Sequence, residues 1–335
     1  MTNARIKSTF ALGLAALSGA ALVQATWTPS AHAQERPYPY KVARFVTSLG
    51  VGSGADGMAR AVAEQLSRRL GQTFIVDSRP GAGGNIAAEA VAKAPPDGYT
   101  LFMSSLAANS INTSYHKKLN YDLRRDFAPI TKFAHIANGL FTGPGLKANT
   151  VAELTVLAKA EPGKLTCASS GTGGLLHLTC EMYKKAAGID VVHVPYKGSV
   201  VWMPELTVGS VTMVFDNIPI YVPLVKDGKL KALMITMPNR SPVLPDVPTA
   251  AEAGLKNMVS RGLFGLLAPA GTPQPIVQLL NRELVAILGD SALREKMLQQ
   301  GIELESTSPE GLRDMIDQEI NQWARVMKEA NISGE

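Results

Sequence analysis

A glycine-dense turn between an apolar strand and a helix occurs twice in this chain, and each time the turn is almost bare backbone. The first unit runs from Arg44 to Arg60, RFVTSLGVGSGADGMAR, with Gly50, Gly52, Gly54 and Gly57 in or beside the turn. The second runs from Lys164 to Lys185 as strand LTCAS, turn SGTGG and helix LLHLTCEMYKK. Glycine accepts positive φ, so such a turn can curl several amide N–H groups toward one point. The helix N-terminus behind it adds partial positive charge, and the product is an anion cradle. Two cradles facing one cleft suit a small carboxylate.

The chain around them alternates strand and helix. Val42–Thr47, Thr73–Asp77 and Tyr99–Ser104 read as strands, separated by a helix through Met58, Val62, Leu66 and Leu70 and another with Ile86, Ala90 and Val91 inward. That alternation predicts a parallel sheet with crossover helices. Near Phe127–Phe133 the chain leaves this first lobe. Thr150 and Glu153 form a capping box for a helix with Val151, Leu154, Leu157 and Ala158 inward. Strands follow at Val191–Val194, Val211–Phe215 and Leu230–Thr236, then the proline-rich connection 241–248. Phe264–Ala268 returns to the first lobe. Pro273–Leu288 is helical, and Ser308-Pro309 opens a last helix striped by Leu312, Ile316, Ile320, Trp323 and Met327. The expected division is 1–33 as a signal peptide, 34–135 with 259–335 as lobe 1, and 136–258 as lobe 2.

Residues 1–33 carry the marks of an export signal: Arg5 and Lys7, an apolar run from Ala11 to Val23, and Ala31-His32-Ala33 as an A-x-A cleavage site. No cysteine follows the run, which argues against a lipid anchor. The chain has 33 basic and 28 acidic residues, and loss of the two basic residues of the signal leaves an excess of three. So small an excess gives no reason to expect nucleic acid as a partner. The expected location is the periplasm. Cys167 and Cys180 are the only cysteines; they would meet an oxidising compartment, and the sequence leaves both a disulfide and two thiols open. A metal site from Cys167, His177 and Cys180 lacks a fourth ligand, and no metal or cofactor is expected.

Gly52-x-Gly54-x-x-Gly57 matches the dinucleotide fingerprint, with Asp77 about 20 residues on. Against it stand Asp56 inside the motif and the scarcity of NAD outside the cytoplasm. No G-x-S-x-G or H-E-x-x-H is present. Ser169, Ser170 and Thr172 offer hydroxyls to an anion or serve as turn residues, and Lys197 is a countercharge or a solvated side chain. His177 is a ligand contact or a packed histidine. Asp216 orders the loops or accepts from a ligand hydroxyl, amine or water, with Asn217 as a donor.

Eight segments in order resemble the TctC family, also called Bug receptors, the solute-binding proteins of tripartite tricarboxylate transporters. They are Arg79-Pro-Gly-Ala-Gly-Gly-Asn85, Pro96-Asp-Gly-Tyr-Thr100, Tyr121 with Asp126-Phe-Ala-Pro129, and Ser170-Gly-Thr-Gly173 with His177-Leu178; then His193-Val-Pro-Tyr-Lys-Gly198, Phe215-Asp-Asn217, Arg240-Ser241 with Leu244-Pro-Asp-Val-Pro248, and Gly265 to Pro273. The resemblance implies an α/β, two-lobed periplasmic binding protein of type II topology with its cleft between two α/β domains. It implies a monomeric receptor, not an enzyme, that passes a dicarboxylate, tricarboxylate or aromatic acid to membrane permease subunits. The ligand-binding residues it implies are Ser48, Gly50, Gly52, Ser53 and Gly54 in the first loop and Ser170, Gly171, Thr172 and Gly173 in the second, with Ser105, Asn109, Tyr196, Asp216 and Asn217 on the walls. The first loop departs from the family's Pro-Phe-x-Pro-Gly-Gly-x-Thr/Ser-Asp: Leu49 replaces the aromatic, Ala55 the hydroxyl, and both prolines are gone. The rival readings are an exported NAD-dependent oxidoreductase and a sensor subunit that presents its ligand to a signalling partner.

Overall fold

The computed structural model describes residues 37–332 except Gly50, Gly52, Ser53 and Lys197, together with Gly334. The signal-like segment 1–33 lies outside the described residues. The chain begins with β1 (Ala43–Thr47), α1 (Gly54–Leu70), β2 (Phe74–Ser78), α2 (Asn85–Ala92), β3 (Thr100–Ser105) and α3 (Leu106–Tyr115). The long strand β4 (Phe127–Thr142) leads to α4 (Val151–Ala160), β5 (Thr166–Ser169), α5 (Leu175–Ala187), β6 (Val192–Pro195), α6 (Ser199–Val208) and β7 (Met213–Asn217). After α7 (Val222–Lys226) come β8 (Lys231–Ile235), β9 (Arg261–Pro269), α8 (Gln274–Leu288), α9 (Ser291–Leu298), β10 (Ile302–Leu304) and α10 (Pro309–Glu329).

The strands follow the order β2-β1-β3-β9-β4-β7-β5-β6, and β8 and β10 also pair with β4. Two parallel triplets sit in this path, β2-β1-β3 and β7-β5-β6, and a glycine loop leaves the central strand of each. The parallel pairing expected for the first three strands is present, and the rest of the sheet is mixed. Strand β9 is antiparallel to β3 and β4, and β4 is antiparallel to all its partners. Along β4 the partners change: Phe127–Ala137 pair with β9, and Asn138–Thr142 with β7. One strand thus serves both halves of the sheet.

Helices pack through stripes at helical spacing. In α1, Met58, Val62 and Leu66 are fully buried against Phe45 and, from α8, Leu280 and Leu284. On the other sheet face, Leu312, Ile316 and Ile320 of α10 meet Phe102 and Leu106. Full burial of one such side chain contributes about 1.5–3 kcal/mol, so these stripes outweigh the helices' own weak propensity. Ser308 caps α10, its Oγ accepting from the Gly311 N–H at 3.0 Å. Thr150 caps α4 in the same way, but Glu153 reaches back to the Asn149 N–H instead of that of Thr150. Helix α2 turns a different face inward than expected. Ile86 is half exposed, and Ala87, Ala88 and Val91 are buried.

Three helices have no clear signal in the sequence. Helix α3, LAANSINTSY, is rich in Asn, Ser and Thr, which prefer caps and turns; it is held by packing against α10, through Ile111 on Trp323 and Met327. Helix α6 carries three valines and an internal Pro204. Helix α9 is short, and Asp290 starts it by accepting from the Leu293 N–H. Among the described residues, no helix is long and apolar enough to cross a membrane.

Cys167 of β5 and Cys180 of α5 form a disulfide with Cα atoms 6.7 Å apart, buried beside Tyr183 and Phe215. The sequence left this pairing open. Bridging residues 13 positions apart restricts the unfolded chain, an effect worth about 2–4 kcal/mol. Reduction, or Cys167→Ser with Cys180→Ser, is expected to lower the unfolding free energy by that amount, read from the shift in denaturant midpoint. An unchanged midpoint under reducing conditions would remove the bridge from the account of stability.

Candidate functional site

In an open α/β sheet, ligands bind beyond the carboxyl ends of the strands. Here those ends border two adjoining cavities of about 590 and 510 Å³. Both are lined by Gly83, Ser105, Ala108, Ser199, Asp216 and Asn217, so they are two chambers of one cleft. The second glycine loop, Ser170 to Gly174, lines the larger chamber with Tyr115 and Trp202. Ser48, Leu49 and Ala55 of the first loop line the smaller one with Ile136 and Phe264.

Five helices begin on these walls. Ala55 is the second residue of α1, Gly84 precedes α2, Ser105 precedes α3, Gly174 precedes α5, and Ser199 opens α6. Each N-terminus exposes amide donors and carries roughly half a positive charge. Among the described lining residues there is no lysine or arginine. The cleft's attraction for an anion therefore rests on backbone amides, with neutral hydroxyl and amide side chains and the His116 imidazole beside them.

Most of the sequence-derived candidates fall on this surface. Ser48, Ser105, Ser170, Gly171, Thr172, Gly173, Asp216 and Asn217 line a chamber. Gly54 starts α1 beside Ala55. Gly50, Gly52, Ser53 and Lys197 lie outside the described residues. Two candidates sit elsewhere. Asn109 is fully buried behind the wall, accepting from Ser104 Oγ at 2.8 Å and donating to Tyr121. Tyr196 donates its hydroxyl to Glu205, and that bond lifts the phenol to about 12. Neither of these two side chains lines a chamber.

The sequence reading singles out Arg79–Asn85 as a family segment but does not place this third glycine loop in the site. Gly81, Ala82, Gly83 and Gly84 border the chambers, all with positive φ. At Gly84 a Cβ would come within 3.1 Å of Ser48 Oγ, so this position holds the loop close to the first cradle. Asn112, one turn beyond Asn109, pins it by donating to Gly83 O at 2.9 Å and to Asn85 Oδ1 at 2.7 Å. The signal was three glycines in four residues entering a helix.

Gly173 has a different role from the one its composition suggests. Its φ is 77°, and an added Cβ would fall 2.3 Å from the Tyr115 ring. Its N–H donates to His177 Nδ1 at 3.0 Å, so this amide is already engaged within the protein.

Asp216 lies where the chambers meet. Its Oδ1 accepts from the Asn217 N–H at 2.7 Å and its Oδ2 from the Tyr221 hydroxyl at 3.1 Å. Tyr221 in turn accepts from Trp202 Nε1 at 2.9 Å and stacks on Phe141. Burial raises the Asp216 carboxyl to about 7, and the two donated hydrogen bonds only partly oppose it.

The dinucleotide fingerprint meets a different use of its residues. Asp77 pairs with Arg79 at 2.8 Å and Asp56 with Arg60 at 3.0 Å. Among the described residues, no group of three His, Cys, Asp or Glu side chains could hold a metal ion.

Comparison with known proteins places the chain in a family. The family model for the tripartite tricarboxylate transporter family receptor, TctC, matches residues 58–332. BugT of Bordetella pertussis is 34% identical over 293 residues, covering 87% of this chain and 90% of BugT. A solved R. palustris protein with adipate superposes with a TM-score of 0.80 at 34% identity, covering 89% of this chain and all of that one. MatC from Rhodopseudomonas palustris, with bound malate, gives 0.75 at 30% identity over 86% of this chain and 99% of MatC. The chain belongs to the TctC family of solute-binding receptors of tripartite tricarboxylate transporters.

Proposed function

We propose that this protein captures a small organic carboxylate in the two-chambered cleft and hands it to membrane permease subunits, without catalysing a reaction. The observation that carries the reading is the convergence of five helix N-termini and three glycine loops on one cleft whose described lining holds no lysine or arginine. Such a surface binds an acid group through main-chain hydrogens. The lobes would divide near residues 135 and 259, which the change of partners along β4 supports. Export to the periplasm through the signal-like residues 1–33 and a monomeric state belong to the same proposal. The adipate and malate held by two relatives set the size of the acids to try first.

Hydrogen bonds to a charged acceptor contribute about 1.5–3 kcal/mol each, so three or four give micromolar or tighter affinity after ordering costs. Calorimetry of the mature protein against adipate, malate, succinate, benzoate and NAD tests this. Binding of at least one acid in the micromolar range is expected, with none for NAD. A response to NAD alone would reverse the assignment in favour of the oxidoreductase.

Gly173→Ala is expected to weaken acid binding about tenfold or more, because the added methyl would fall 2.3 Å from the Tyr115 ring at a positive φ that alanine resists, so the loop must shift. A folded Gly173→Ala protein that binds the acid as tightly as wild type would count against the loop as part of the site. Asp216 is ionised above about pH 7, where its charge opposes an anion. Asp216→Asn should therefore tighten adipate binding several-fold at pH 8 and by much less at pH 6. Equal ratios at both pH values would show that Asp216 does not face the bound acid.

A further inference from the structure

Beneath the second glycine loop two imidazoles lie face to face. His177 of α5 and His193 of β6 stack with ring centroids 3.7 Å apart and planes 22° from parallel. The His177 Nδ1 accepts from the Gly173 N–H at 3.0 Å. An amide N–H only donates, so Nδ1 is unprotonated and the ring's single proton is on Nε2. That Nε2 faces Glu181 Oε1 at 3.7 Å. On the neighbouring strand, His193 Nε2 lies 2.6 Å from Ser169 Oγ, which donates to Gly171 O at 3.0 Å. The loop is thus fastened to the ring pair at Ser169 and again at Gly173.

The two nitrogens of His177 favour opposite charge states. Nδ1 toward the Gly173 N–H requires the neutral ring, and Nε2 toward the Glu181 carboxylate favours the cation. Lys184, 2.7 Å from the same Glu181 oxygen, opposes the cation. From β6 the neighbour is His193, which burial and His177 lower to about 4, so it stays neutral through mild acid. From α3 it is Tyr115, whose ring lies against Gly173.

We propose that His177 is a positioning residue that latches the second glycine loop in its ligand-receptive shape, and that its protonation exchanges the Gly173 anchor for Glu181 and frees the loop. An imidazolium sets N–H against N–H at Gly173, which removes one hydrogen bond and adds repulsion. The receptor then loads at neutral pH and unloads in mild acid. This rests on the reading of the cleft as an acid site.

The test is calorimetry of the mature protein with adipate and with malate at pH 7.5 and 5.0, the range in which imidazoles titrate. Wild type at pH 5.0 is expected to bind about tenfold or more weakly than the non-titrating His177→Gln variant at the same pH. In His177→Gln the amide oxygen still accepts from Gly173 and does not titrate. Its affinity should match wild type at pH 7.5 and hold or tighten at pH 5.0, since Asp216 then loses its charge. His177→Ala should bind weakly at both. A ratio of pH 5.0 to pH 7.5 affinity that is the same in wild type and in the Gln variant overturns the latch. Nuclear magnetic resonance of the ligand-free protein gives a readout independent of any ligand. The Gly173 amide resonance should move with the titration of His177 and stay fixed in His177→Gln, and a Gly173 amide that ignores that titration overturns the latch. Failure of every acid to bind at pH 7.5 counts against the acid site and leaves that resonance to decide the latch.

Discussion

The cleft depends on the amide groups at the starts of helices. Every α-helix leaves its first N–H donors without intrahelical partners, and here five helices start on the walls of one cavity. Such donors are costly to bury without an acceptor and favourable beside an anion. The sheet explains why they gather. In each parallel triplet the strands end on one side, and the loops after β1 and β5, the central strands, have nowhere else to open. Lysine or arginine in the lining would bind an acid too, but as mobile point charges; backbone dipoles are held by the fold itself.

Asp216 runs against this attraction, and its surroundings show how the fold tolerates it. Tyr221 and the Asn217 N–H each donate to the carboxylate, and Trp202 holds Tyr221 in place. Even so, burial keeps its carboxyl near 7. The cleft thus contains, besides the lining imidazole of His116, a carboxyl whose charge depends on pH within its anion-attracting wall. It is separate from the histidine pair, which lies under the loop and not in the lining.

Much of this could be read from residues in order. The glycine turns after β1 and β5 were legible because glycine density between an apolar run and a helical stripe has a direct backbone meaning. Asp216 and Asn217 were legible as polar residues at the end of an apolar strand. What failed was direction. Asn109 and Asn112 lie three residues apart on α3, and only packing against Tyr121 and Gly83 decides which one faces the cleft. Tyr196 stands at the strand end as a wall residue would, but Glu205, on the following helix, takes its hydroxyl. Helix α3 itself was illegible, because its stability comes from α10, about two hundred residues away in sequence. The role of Gly173 as a donor to His177 was equally hidden, since a spacing of four residues does not say which ring nitrogen turns back.

The cystine at Cys167 and Cys180 has one more effect. Between its two half-cystines lie the whole turn Ser169–Gly174 and His177, so this part of the cleft wall is a covalent ring, closed at its base by sulfur. A cyclised segment gives up much of its configurational freedom when the chain is oxidised, and a solute arriving later meets it already ordered. The opposite wall, around Ser48 and Leu49, has no cysteine and no such closure. The two jaws therefore differ in kind: one is set by redox chemistry during maturation, the other by noncovalent contacts alone.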